Sequence, residues 1–157
     1  MQRGSAPTSF PAMPFAFQPL DIPDVVVVRP RRLGDARGFF AETYRASAFA
    51  EAGIVGPFVQ DNLARSGPRV LRGLHFQLPP HPQGKLVQVV RGAVFDVAVD
   101  LRRASPTFGR WVGVRLRADT PQQLWIPPGF AHGYCVLSTE ALFTYKCTDY
   151  YHPETQF

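Results

Sequence analysis

The residues from Val70 to Arg102 place a histidine, a lysine, two arginines and two aspartates in runs that otherwise read as β-strand. Strands with buried faces rarely carry so many ionisable groups without a use for them. His75 has the right chemistry for a general base, since an imidazole titrating near 6.5 can take a proton at neutral pH. A hydrogen-bonded core histidine is the alternative. Lys85, at the start of the next run, could set a cation beside a developing enolate oxygen, or simply guard a strand edge. Gln60 and Asn62 alternate onto one strand face and could read one ligand together.

Short strands joined by turns must position these groups. The chain has 157 residues, 45% hydrophobic and 18% charged, which suits one domain with a real core. Sixteen prolines and thirteen glycines argue against a helical bundle and for a β-sandwich or small barrel. About ten strands are predicted, among them Val25 to Val28, Phe39 to Tyr44, Phe58 to Ala64, Val70 to Gln77, Lys85 to Arg91, Ala93 to Leu101 and Ala141 to Thr148. One helical turn is expected at 48–52, capped by Ser47 and ended by Gly53.

Four prolines break the apolar residues of the first twenty positions, so residues 1–21 read as a flexible leader instead of a signal peptide, and 22–157 as the domain. No run approaches the ~18 apolar residues of a membrane helix, and the expectation is a cytoplasmic protein without membrane contact. The net charge of +5 comes almost wholly from scattered arginines, whose planar fork suits phosphate or carboxylate. That scatter argues against nucleic acid; a plain bias toward arginine explains the charge about as well. Cys135 and Cys147 fit two reduced thiols better than a disulfide.

Ile126 to Gly133, IPPGFAHG, contains P-x-G-x-x-H as Pro127, Gly129 and His132. This spacing resembles the second half-motif of the cupin double-stranded β-helix. Metal-binding cupins carry an H-x-H pair in the first half-motif, whereas His75 is followed here by Phe76 and Gln77. Two imidazoles make an incomplete site for zinc or iron, so no metal is expected.

DARGFFAETY, FVQDN, VLRGLHFQ, QGKLV, VFDVAVDLR, SPTFGRW, QLWIPPGFAHG and YKCTDYY resemble the dTDP-4-dehydrorhamnose 3,5-epimerases over about Ile22 to Pro153. The resemblance implies an all-β cupin jelly roll, a homodimer, no cofactor, and a dTDP-4-dehydro-6-deoxyglucose substrate on the route to dTDP-rhamnose. It makes His75 the base, Tyr145 the acid on the opposite face, and Lys85 the neighbour of the C4 oxygen. Arg37 and Arg72 would hold the diphosphate, Gln60 and Asn62 would line the nucleotide site, and His132 would contact substrate. Tyr151 would stack on a ring, and Glu42 would be a further ligand-binding position. Asp96 resembles a buried acid near the lysine; a structural ion pair explains it nearly as well.

C3 and C5 of that sugar both flank the C4 ketone, so removing either proton gives an enolate and no redox cofactor is needed. Two features sit awkwardly with the resemblance. Arg72 and His75 are three apart, so a regular strand would point them to opposite faces; a bulge at Gly73, or entry from an edge, would reconcile them. The family also continues past YYHP with a segment whose acid pairs with the catalytic histidine, leaving Asp96 or Glu154 as substitutes here. A single-carbon epimerase of a related nucleotide sugar, a shortened nucleotide-sugar-binding homologue and a metal-dependent cupin oxygenase are the competing readings.

Overall fold

Period-two alternation of buried and exposed residues organises the molecule, as the run from Ala93 to Asp100 shows. Val94, Asp96, Ala98 and Asp100 are buried, and the residues between them are half-buried. The computed structural model describes residues 13–157. In chain order the strands are β1 Phe15–Pro19, β2 Val26–Pro30, β3 Arg32–Asp35, β4 Gly38–Ala41, β5 Gln60–Ser66 and β6 Leu71–His75. They continue as β7 Lys85–Arg91, β8 Ala93–Asp100, β9 Trp111–Arg117, β10 Gln123–Ile126, β11 Phe130–Val136 and β12 Ala141–Cys147. A single helix among the described residues, α1 Ala46–Glu51, separates β4 from β5.

Two antiparallel sheets face each other as a cupin jelly roll. The larger has the order β1-β2-β10-β7-β12-β5 and the smaller β6-β11-β8-β9, while β3 and β4 form a projecting hairpin that, among the described residues, pairs only within itself. Val27, Val87, Leu124 and Phe143 of the larger sheet meet Val94, Val112, Leu116 and Tyr134 of the smaller in the main core. A second cluster covers the outer face of the larger sheet, where Phe49 of α1 packs with Phe15, Val26, Val28, Leu86 and Trp125. Phe49 is fully buried, and burying such a ring contributes about 2–3 kcal/mol. With apolar layers on both sides, the first half of β2 needs no polar face, which is why Val26 to Val28 is an unbroken valine run before Arg29.

Two expectations are corrected. Residues 1–12 lie outside the described residues, but Phe15–Pro19 of the expected leader forms β1, paired with β2 from Phe15↔Pro30 to Pro19↔Val26. As an edge strand it tolerates the flanking prolines that argued against it. Ser47 lies inside α1 and does not cap it; Arg45 holds the N-cap position without a side-chain cap bond. The strand after IPPG begins at Phe130, so His132 is a strand residue.

Candidate active site

The first local problem is how Arg72 and His75 share a side, and β6 solves it with a bulge. His75 pairs with His132 and Arg72 with Tyr134, so β6 advances three residues while β11 advances two. Gly73 makes this possible at φ +123, and a Cβ there would lie 2.6 Å from the Cα of Gly133. The guanidinium of Arg72 bonds the Ser66 hydroxyl at 2.8 Å, and its positive charge acts on both His75 and Tyr145.

Across the interior, β12 carries the matching groups. Tyr145 lies opposite Asn62 of β5, and Cys147 lies between Gln60 of β5 and Lys85 of β7, so these side chains share one face. His75 comes from the smaller sheet and Tyr145 from the larger. Between them is a cavity of about 320 Å³ whose walls include His75, Lys85, Tyr145, Gln60, Asn62 and Tyr151. The ammonium of Lys85 lies 5.9 Å from the centre of the Tyr145 ring.

The electrostatics suit these groups to proton transfer. Burial pushes the His75 imidazole below its ordinary pKa, and the charges of Lys85, His132 and Arg72 add to this, so the ring is a free base at neutral pH. Burial pushes the Tyr145 phenol up, assisted by Cys147 and Tyr134, and keeps its proton in place. Lys85 is lowered by burial, with Cys147 and Asp96 acting in the opposite direction. The Cys147 thiol is pushed up to about 11 by burial, which leaves it a protonated wall residue and a poor nucleophile.

Five expected site residues lie outside the cavity walls, and Arg72, held by the Ser66 hydroxyl, is the first of them. Arg37 sits at the tip of the β3–β4 hairpin, 90% exposed and paired with Asp35 at 2.5 Å, away from the cavity. Glu42 follows β4 and is bonded by Arg45. His132 is buried beneath the cavity, its Nε2 3.0 Å from both carboxylate oxygens of Asp96. Asp96 therefore serves His132 first and Lys85 only through its charge; burial pushes its carboxyl up against those two. Neither acid offered as an orienting partner for His75 bonds to it, since Asp96 holds His132 and Glu154 bonds His152.

Residues not singled out from the sequence complete the walls: Phe76, Gln77, Gln83, Cys147 and Gln156. Gln77, which stands where a metal-binding cupin would have a second histidine, donates to the carbonyls of His81 and Tyr150 and accepts from the amide of His152. Its amide is committed to tying the loop after β6 to the chain after β12. With Asp96 also bound to His132, the donors around His75 do not fit a cupin metal centre.

Known proteins carry the same architecture. The family model described as dTDP-4-dehydrorhamnose 3,5-epimerase matches residues 19–157. The dTDP-4-dehydrorhamnose 3,5-epimerase of Escherichia coli is 58% identical over 86% of this chain and 74% of its own length. The dTDP-4-dehydrorhamnose 3-epimerase of Streptomyces niveus is 42% identical over 88% of this chain and 68% of its own. A crystal structure of the Legionella pneumophila dTDP-6-deoxy-D-glucose-3,5-epimerase in complex with dTDP-4-keto-L-rhamnose superposes with a TM-score of 0.88 at 53% identity, covering 91% of this chain and 76% of that one. With sequence, fold and cavity in agreement, the chain belongs to the dTDP-4-dehydrorhamnose 3,5-epimerase family.

Proposed function

We propose that this protein is an isomerase that inverts C3 and C5 of dTDP-4-dehydro-6-deoxyglucose by proton transfer next to the C4 ketone, in dTDP-rhamnose biosynthesis. The observation that carries this reading is the placement of His75 and Tyr145 on opposing sheets across one cavity, with Lys85 in its wall. His75 removes the proton on carbon, the charge moves onto the C4 oxygen beside Lys85, and Tyr145 returns a proton from the other side. Gln60 and Asn62 line the nucleotide end, Tyr151 stacks on a ring, and Arg72 meets the diphosphate. Gln60 is also the acceptor for the Tyr151 amide at 3.0 Å, so it sets the position of that tyrosine.

Arg37, Glu42 and the homodimer form one further part of this reading. The hairpin that carries Arg37 exposes Leu33, Phe39 and Phe40 and pairs with no other strand among the described residues. Seated on a second copy, it would cover those apolar residues and bring Arg37 to a cavity that it does not reach in its own chain. His132 contributes from below, holding the floor under His75 through Asp96. The protein works in the cytoplasm on this reading; both cysteines are free, and no helix among the described residues is long and apolar enough to cross a membrane.

Two variants test the division of labour. Tyr145→Phe keeps the ring and removes the donor, so substrate protons should still exchange with solvent while epimer forms about 10²- to 10⁴-fold more slowly. His75→Ala should stop exchange and epimerisation together. Unchanged epimerisation in Tyr145→Phe would transfer the acid role to another group.

A further inference from the structure

Beyond the cavity, the loop after β6 and the chain after β12 bring together a cluster that the reaction does not use. His81, Asp149 and His152 each offer a ligand atom, and these atoms lie within 4.8 Å of one another. The imidazoles of His81 and His152 stack with their centres 3.5 Å apart and their planes 11° from parallel. Asp149 lies 3.1 Å from Nδ1 of His81, and Glu154 lies 3.1 Å from Nδ1 of His152. We propose that His81, Asp149 and His152, with Glu154 as a fourth donor, bind one divalent transition-metal ion of the zinc or nickel class and so clip the loop after β6 to the segment after β12.

The donor chemistry selects that class. Two imidazoles with carboxylates suit zinc, nickel or cobalt, whereas calcium and magnesium prefer all-oxygen shells. Two carboxylates also neutralise the charge of a divalent ion. Both are ionised at neutral pH: Asp149 is held down by the Tyr150 amide and by His81, Glu154 by a backbone amide and by His152. The three central side chains are 27–35% exposed, so an ion can enter and retain a water. Binding would fan the stacked rings apart, because two imidazoles on one ion diverge from it.

The ligands also come from parts of the chain that are already joined. Gln77 bonds the carbonyls of His81 and Tyr150 together with the amide of His152, and Gln83 bonds the carbonyl of Asp149 at 2.8 Å. The two segments are therefore held together before any ion arrives, only the imidazoles have to turn, and the entropy cost of binding is reduced. Gln77, Gln83 and Tyr151 of these same segments line the cavity. An ion here would fix a wall of the active site without touching the reacting carbons.

The test uses the untagged chain, stripped with a chelator and titrated with zinc chloride by calorimetry and with cobalt(II) by absorption. We expect one equivalent bound at micromolar affinity or tighter and cobalt bands of a four- or five-coordinate site. A Tm rise of about 5–10 °C is expected at a hundredfold excess of free zinc over Kd. Asp149→Asn, which keeps the side-chain shape, and His81→Ala/His152→Ala should each weaken zinc binding at least tenfold while circular dichroism confirms the fold. Absence of stoichiometric binding by the stripped wild-type chain would overturn the proposal. So would equal affinity in both folded variants, because the ion would then sit elsewhere.

Discussion

The role proposed for His75 as a base depends on surroundings that keep the imidazole uncharged. Burial lowers its pKa first, the electrostatic influence of Lys85, His132 and Arg72 adds to this, and each favours the free imidazole. The sign for activity follows directly: the base is lost as pH falls through its pKa, so a depressed value moves the acid limb of kcat/KM below the ordinary histidine value of about 6.5. A pH profile with its acid limb at or above 6.5 would contradict this assignment. Much of the candidate cavity was legible at this scale, because His75, Lys85, Tyr145, Gln60, Asn62 and Tyr151 all line it. Arg37 and Glu42 were not placed by the same reasoning, since motif and spacing cannot tell which side chains a projecting hairpin withholds from its own cavity. His132 was recognised as a motif residue, but its partner could not be read from sequence: Asp96 lies 36 positions away and meets it only through the pairing of β8 with β11.

At the scale of elements, the bulge in β6 is the device on which the site depends. The three-residue spacing of Arg72 and His75 called for either a bulge at Gly73 or entry from an edge, and the pairing with β11 contains the bulge. Gly73→Ala would combine a strained φ with a Cβ 2.6 Å from the backbone of Gly133. It should cost about 3 kcal/mol or more in a denaturant melt and depress turnover by displacing His75. A stable variant with full activity would show that β6 can present His75 without this bulge. The strands β7, β8 and β12 were legible from their alternation. By contrast, β1 was hidden by its prolines, while the helical turn was expected and only its start was misplaced by the Ser47 cap, because edge position and tertiary packing override local signals in both places.

For the whole molecule, the jelly roll followed from many short strands, a cupin half-motif and family blocks, and the two-sheet structure agrees with it. What the sequence could not convey is that the β3–β4 hairpin stands apart from both sheets. The side chain of Phe40 is 68% exposed there and that of Phe39 59%. If the hairpin seats on a second copy, replacing both rings with Asp should turn a dimer into a monomer by light scattering at micromolar concentration. A dimer that persists in the folded double variant would place the interface on another surface.

The central claim is that one cavity serves both carbons beside the ketone. The most direct measurement is incubation of the protein with dTDP-4-dehydro-6-deoxyglucose in D2O, with NMR following deuterium at C3 and C5. Proton abstraction and return at both positions predict deuterium at both carbons, with both configurations inverted in the product. Deuterium at one carbon alone, or at neither, would contradict the account.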